Sequence, residues 1–319
     1  MQLGFVSAIL PEQNLEQVLT IASQNHYQCV ELMCWPAGRA ERRYAGVTHI
    51  NVDTLDATSI ANIRKQLARH RITISALGYY PNLLTPDANE ASTSLAHLRK
   101  VMQAAKLLDV KCVTTFIGRN WQTSIKENWP NFLAVWRPLV AEASDLGLHL
   151  CIENCPMLFT ADEWPGGKNL AATPEIWRRM FHDIPDPCFG LNYDPSHLVW
   201  QQMDYIAPLH EFASRIHHVH AKDVRVNHAR LADIGIFAPP NSYHQPVLPG
   251  NGDIDWPRFM KELIASGYDG PVCVEVEESA YEVDLPSRCE ALRRTQTYLV
   301  PMLVSQPTKN TTNQRLAHQ

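Results

Sequence analysis

The run LHLCIEN at residues 148–154 is an apolar, strand-like segment that ends on an acid, Glu153, and it is one of eight such runs. The others are LGFVSA (3–8), CVELMC (29–34), ITISAL (72–77), CVTTFI (112–117), FGLNYD (189–194), IHHVHA (216–221) and VCVEVE (272–277). After each comes helical periodicity, over about 14–25, 56–69, 90–108, 127–146, 174–183, 202–213, 255–266 and 287–303. Thr173-Pro174 and Asp255 ahead of Pro257 supply helix-start signals. Strand and helix alternating eight times predict a single-domain α/β protein, a (β/α)8 TIM barrel over residues 1–304. A doubly wound dinucleotide fold would show a glycine-rich first turn, and LGFVSAILPEQN has none. Residues 305–319, polar and without a core-forming face, read as a disordered tail. Two connections are long, 35–55 and 222–254, as lids and binding loops are.

Composition narrows the function. Twenty-eight basic against 33 acidic residues leave a net charge of -5, without the basic excess of a nucleic-acid-coating surface, so no nucleic-acid partner is expected. MQLGFVSAIL lacks a cationic leader, and no stretch supplies 18 uninterrupted apolar residues, so no membrane partner and a cytoplasmic location are expected. Of the eight cysteines, Cys29, Cys112, Cys151, Cys188 and Cys273 fall in or beside apolar runs and read as reduced core residues.

In a barrel of this kind the functional side chains come from the C-terminal ends of the strands. Glu153, Asp194, His220 and Glu275 all fall there. Three carboxylates and one imidazole make a hard ligand set that suits one divalent ion, Mn²⁺ first, with Mg²⁺, Co²⁺ or Zn²⁺ also compatible. Strand alternation sends His218, His220 and Lys222 to one face and His217, Val219 and Ala221 to the other, leaving His218 as a satisfied histidine one layer below His220. Cys273, Glu275 and Glu277 share a face in the same way, with Glu277 either on substrate or in solvent. Glu153, flanked by apolar residues, needs a metal or an arginine, because burying an unpaired carboxylate is costly. Asp194, in DPSH, is either a ligand or the closing residue of an Asx turn. Trp35 can stack on a sugar ring, and Lys222, Arg225, His228 and His244 are candidate substrate contacts. Arg39, Arg42, Arg43 and Tyr44 either bind an anionic group or solvate their loop.

The segments VELMCWP (30–36), IEN (152–154), DPSH (194–197), HVHAKD (218–223), PGNGDIDW (249–256) and YDGPVCVEVEES (268–279) together resemble the xylose isomerase-like TIM-barrel superfamily. The likeness is strongest to its sugar phosphate isomerase/epimerase group, which includes ketose 3-epimerases and inosose dehydratase. That resemblance implies a small carbohydrate substrate and a single divalent metal held by Glu153, Asp194, His220 and Glu275. Glu153 and Glu275 would double as catalytic proton-transfer groups, and His197 and Glu31 would touch substrate hydroxyls. The reaction implied is epimerisation or isomerisation through an enediolate next to a carbonyl. The alternative is a lyase that eliminates water or an aglycone from a keto-sugar or inosose by the same deprotonation. Phe159 departs from the epimerases, which carry a substrate-binding glutamate there, six residues beyond the first ligand. The outer helices of such a barrel are also compatible with a homo-oligomer.

Overall fold

Each of the eight apolar runs forms a strand in the computed structural model, which describes residues 1–37, 45–158 and 167–303. In chain order these are β1 (Gln2–Val6), β2 (Cys29–Met33), β3 (Thr73–Gly78), β4 (Cys112–Thr115), β5 (His149–Glu153), β6 (Phe189–Tyr193) and β7 (Ile216–Ala221). Two further strands, β8 (Asp223–Val226) and β9 (His244–Val247), pair antiparallel outside the barrel, and β10 (Pro271–Val274) completes it. Every barrel strand pairs in parallel with its neighbours in the chain, and β1 closes the ring on β10. The expected TIM barrel is therefore present as one domain.

Helices follow the strands: α1 (Leu15–Gln24), α2 (Ala57–His70), α3 (Ala88–Leu108), α4 (Ile125–Leu146), α5 (Pro174–Asp183), α6 (Ser196–Val199), α7 (Ala207–Glu211), α8 (His228–Ile234), α9 (Trp256–Ala265) and α10 (Leu285–Leu303). Their starts are chemically explicit. Asn14 and Ser124 form capping boxes with Gln17 and Glu127, and the Thr173 and Asp255 side chains accept from Ile176 N and Arg258 N. The strands bury their outer faces under these helices, where Trp136, Trp177, Trp256, Phe189 and Phe259 are fully enclosed.

Four expectations need correction. The helix expected over 202–213 is reduced to α7, because Asp204 Oδ1 caps Ile206 N and Ala207 N and Pro208 occupies the first turn. The eighth barrel strand stops at Val274, so Glu275 and Glu277 stand on the loop beyond it. The 222–254 connection is no plain loop: β8, α8 and β9 fold within it. Finally, β7 does not alternate strictly. Its register against β6 shifts between Leu191 and Asn192, and the His217 ring lies over Gly190 and stacks on His149, with centroids 4.2 Å apart. His149 is on the same face of β5 as Cys151 and Glu153, so His217 joins the barrel interior.

The tail at 305–319, the loop residues Arg39, Arg42, Arg43 and Tyr44, and Phe159 lie outside the described residues. Among the described residues, no helix is long and apolar enough to cross a membrane.

Candidate metal centre and substrate cavity

The C-terminal ends of β5, β6 and β7 and the residue after β10 bring Glu153, Asp194, His220 and Glu275 together, with one ligand atom from each lying within 4.8 Å of the others. Asn154 fixes the backbone of Asp194 by a reciprocal pair, Asn154 Nδ2 donating to Asp194 O and Asp194 N to Asn154 Oδ1, both at 2.8 Å. Asn169 Nδ2 donates to Glu153 O at 2.9 Å and so holds the other side of the site. The two readings of Asp194 turn out to be compatible. Its Oδ1 accepts from Ser196 N at 2.8 Å as in an Asx turn, while Oδ2 faces the cluster.

His220 is oriented from behind. Its Nε2–H donates to Glu31 Oε2 at 2.7 Å, which leaves Nδ1 as the ring nitrogen facing Glu153 and Glu275. Glu31 is itself completely engaged: Tyr80 OH and Thr114 Oγ1 donate to Oε1, the latter at 2.6 Å. The carboxylate expected on a substrate hydroxyl thus lies beneath the histidine, with no exposed surface. His218 sits one layer deeper, where its Nδ1 meets Asn192 Oδ1 at 2.9 Å and Ser75 Oγ lies 3.3 Å from its Nε2.

These residues fit a divalent cation on two observations. Among the described residues, Asp194 Oδ2 and His220 Nδ1 are buried without a hydrogen-bond partner, with the Lys222 ammonium 3.1 Å from Asp194 Oδ2, although buried polar atoms are normally satisfied. The second is the chemistry of the donor set, an imidazole nitrogen converging with three carboxylates, whose negative charge a shared divalent cation would offset. A carboxylate behind the ligating histidine is the usual outer support of such a site.

Lys222 supplies a further positive charge. Its Nζ lies 2.7 Å from Glu275 Oε2, 3.1 Å from Asp194 Oδ2, 3.3 Å from Glu277 Oε2 and 3.9 Å from Glu153 Oε1. Burial would lower its pKa, but Asp194 and the three glutamates raise it well above the ordinary lysine value. The same contacts act in reverse on the acids. Burial would raise Glu275, yet Lys222 and His220 hold it down at about 2, and His197, His220 and Lys222 depress Glu153 against its burial. Among the described residues, the cationic groups facing Glu153 are His197, His220 and Lys222.

Above the cluster opens a cavity of about 970 Å³ whose walls include Trp35, Trp121, His197, Trp200, Lys222 and Glu277. Trp35, His197 and Lys222 thus lie where a substrate would, and His244 also reaches this wall. Arg225 does not. Alternation along β8 packs Val224 and Val226 against Trp200 and Tyr243 and leaves Arg225 exposed, its guanidinium donating to Asn251 O. His228 is likewise exposed at the start of α8.

Sequence reasoning missed Asp223. Its carboxylate accepts from Val224 N, Gly250 N, Gly252 N, Ile254 N and the Trp256 indole at 2.8–3.3 Å, folding PGNGDIDW back under the insertion. A Cβ on Gly252 would lie 2.2 Å from Asp223 Oδ1, so this wrap requires glycine. The signal was the acid in HVHAKD followed by the glycines of PGNGD, legible only once both are known to converge.

A family model described as a xylose isomerase-like TIM barrel matches residues 19–295. The chain belongs to this family. It is 28% identical to the uncharacterized protein YfiH of Bacillus subtilis (strain 168), over 92% of this chain and 99% of that one. It is 35% identical to the inosose dehydratase of Geobacillus thermodenitrificans (strain NG80-2) over 118 residues, 35% of this chain and 38% of that enzyme, so this similarity spans well under half of the dehydratase. Among solved structures, the zinc-bound IOLI protein superposes with a TM-score of 0.67 at 20% identity, covering 95% of this chain and 98% of that one. L-ribulose 3-epimerase superposes equally well, at 0.67 with 15% identity, covering 95% and 94%. The proteins similar to this chain thus include an inosose dehydratase over part of the sequence and, in fold, an L-ribulose 3-epimerase and a zinc-bound protein.

Proposed function

We propose that this protein is a divalent-metal-dependent isomerase or epimerase that moves a proton at the carbon next to a carbonyl of a small sugar or polyol ketone. The observation that carries this reading is the convergence of Glu153, Asp194, His220 and Glu275 at the foot of a cavity with aromatic walls. The four would hold one ion, with Mn²⁺ favoured by the oxygen-rich set and zinc compatible on the evidence of the IOLI relative. When bound, that ion supplies the positive charge that stabilises an enediolate oxygen as it develops.

The remaining chemistry belongs to side chains. Glu153 and Glu275 are both ionised, and so each can accept a proton from a carbon held between them. One takes the proton and passes it to solvent, while the other, having first picked up a proton from water, delivers that proton to the opposite face. His197 and Lys222 orient substrate oxygens, and Trp35 offers its ring to the apolar face of a sugar. Glu31 acts through His220 rather than on substrate.

A second reading, elimination of water or an aglycone, is favoured by Lys222 Nζ. It lies between Glu275 and Glu277, where an ammonium could protonate a leaving oxygen on the carbon beyond. The activity of the dehydratase relative points the same way. Incubation of the Mn²⁺-loaded protein with 2-keto and 3-keto sugars and inososes in D₂O tests both. Solvent deuterium at a stereocentre of intact sugar supports epimerisation, an unsaturated or cleaved product supports elimination, and absence of both across the panel defeats the proposal.

A further inference from the structure

Glu153, Cys155 and His197 form a trio whose donor atoms also lie within 4.8 Å of one another, and it shares Glu153 with the four-residue group. Whether it could hold a second ion depends on which nitrogen of His197 carries the proton. Trp200 decides. Its indole Nε1–H lies 3.3 Å from His197 Nδ1 in donor geometry. Burial lowers the pKa of this ring while Cys155 and Asp194 push it up to about 10, but an indole nitrogen only donates, so Nδ1 must accept, which only the neutral ring can do, and its proton then sits on Nε2. Among the described residues that nitrogen is buried without a hydrogen-bond partner, facing Asp194 Oδ2 at 3.3 Å and Glu153 Oε1 at 3.4 Å.

Trp200 is held in turn by the insertion. Its ring stacks on His244 of β9 with an interplanar angle of 3° and centroids 4.8 Å apart. His244 Nδ1 donates to Pro240 O at 2.6 Å, which ties its ring to the turn before β9. Val224, Val226 and Tyr243 pack around the same indole. A chain of contacts therefore runs from the β8–β9 arm through His244 and Trp200 to His197 at the cavity floor.

We infer that Trp200 is a positioning residue: clamped by the β8–β9 arm, it fixes His197 as an Nε2–H donor into the cavity and so prevents His197 from ligating a metal. The subsite beside His197 consequently takes an oxygen acceptor, a carbonyl or hydroxyl of the substrate, and rejects an ammonium at that position. The Glu153, Cys155 and His197 trio stays empty of metal while the Glu153, Asp194, His220 and Glu275 group takes one ion. The tautomer stands on geometry alone, whereas the identity of the acceptor as a sugar oxygen rests on the proposed function.

Long-range ¹H–¹⁵N correlation spectra of the full-length, Mg²⁺-loaded, ¹⁵N-histidine-labelled protein test this directly, with His197→Gln for assignment. The expected spectrum has a pyridine-type Nδ1 and a pyrrole-type Nε2 for His197. In Trp200→Phe, which keeps an aromatic ring on His244, the Nδ1 signal is expected to move to its non-bonded position and the single tautomer to give way to a mixture. A proton on Nδ1 in the wild type, or a Trp200→Phe spectrum identical to it, overturns the inference. Zinc titration of the wild type adds an arm that does not depend on Trp200→Phe folding: one ion per chain is expected, and a second equivalent, lost in a Cys155→Ser variant with an unchanged circular dichroism spectrum, overturns it. Failure to turn over any keto-sugar would sink the functional reading and leave these spectra unaffected.

Discussion

At the mouth of the barrel, the imidazole of His220 lies between Glu31 and Glu275. Burial would lower its pKa, but those acids raise it well above the ordinary histidine value. At the floor, His217 stacks on His149, and burial together with that neighbour pushes it down to about 4. The residue type and the barrel interior are shared, yet the electrostatic outcome is opposite. Burial acts in the same direction at both ends, so the difference comes from the carboxylates that line the mouth. Charge of both signs packed where strands end suits binding and proton transfer, and a neutral pair of stacked rings suits packing.

The largest expected effect breaks the mouth itself. Glu153→Gln and Glu275→Gln should each cut turnover by roughly 10²–10⁴-fold, the range set by losing a positioned acid or base. Deuterium incorporation from D₂O is the measurement, with circular dichroism as the control for folding. Parental turnover in both variants would reduce the mouth to a structural feature like the floor. Next in size is Glu31→Gln, which leaves all four candidate ligands in place but weakens the hydrogen bond that aims His220. Mn²⁺ affinity by calorimetry should fall by roughly 10–100-fold, as for other supports of a ligating histidine.

The mouth was legible in the sequence because period-two alternation and the rule for strand ends act locally, and Glu153, Asp194, His220 and Glu275 obey both. Glu31 could not be placed from sequence, since only closure of the ring, with β10 between β1 and β7, brings β2 and β7 across from each other. The floor was misread at His217 for a different reason. One shifted residue in the β6–β7 register turns a side chain inward, and no pattern in IHHVHAKD announces it. The β8–β9 pair was hidden inside a long polar connection because its order depends on Asp223, whose five donors come from residues 224–256.

Two glycines sharpen the comparison further. A Cβ on Gly252 would meet Asp223 Oδ1 at 2.2 Å and Val224 O at 2.4 Å, and one on Gly190 would meet Arg215 O at 2.2 Å and the His217 ring at 2.3 Å. Overpacking of this kind costs about 1–3 kcal/mol, so Gly252→Ala and Gly190→Ala should lose comparable stability in urea unfolding. Only the first should also weaken Mn²⁺ binding, because Asp223 adjoins Lys222 and anchors the arm over the cavity. Equal losses of metal affinity in both variants would erase the functional distinction between the two ends.

The smallest effect is the pH dependence contributed by the floor. His217 has a folded-state pKa of about 4, below the unperturbed value of 6.5. Between these two values the unfolded chain binds more protons at this site than the folded one, so its contribution to stability is complete above pH 6.5 and is lost as pH falls towards 4. Nothing further is lost below that, since the ring is then protonated in both states. His217→Phe removes the titrating group and keeps a ring to lie over Gly190, so its unfolding free energy should fall less steeply with acid. The difference in slope is bounded by one proton, about 1.4 kcal/mol per pH unit, and solvent reaching this half-buried ring should make it smaller. Urea midpoints for the two proteins at pH 7 and pH 5 measure it. Parallel slopes would mean that the stacked pair at the floor is held by something other than the exclusion of charge, and the contrast with the acid-lined mouth would lose its physical basis.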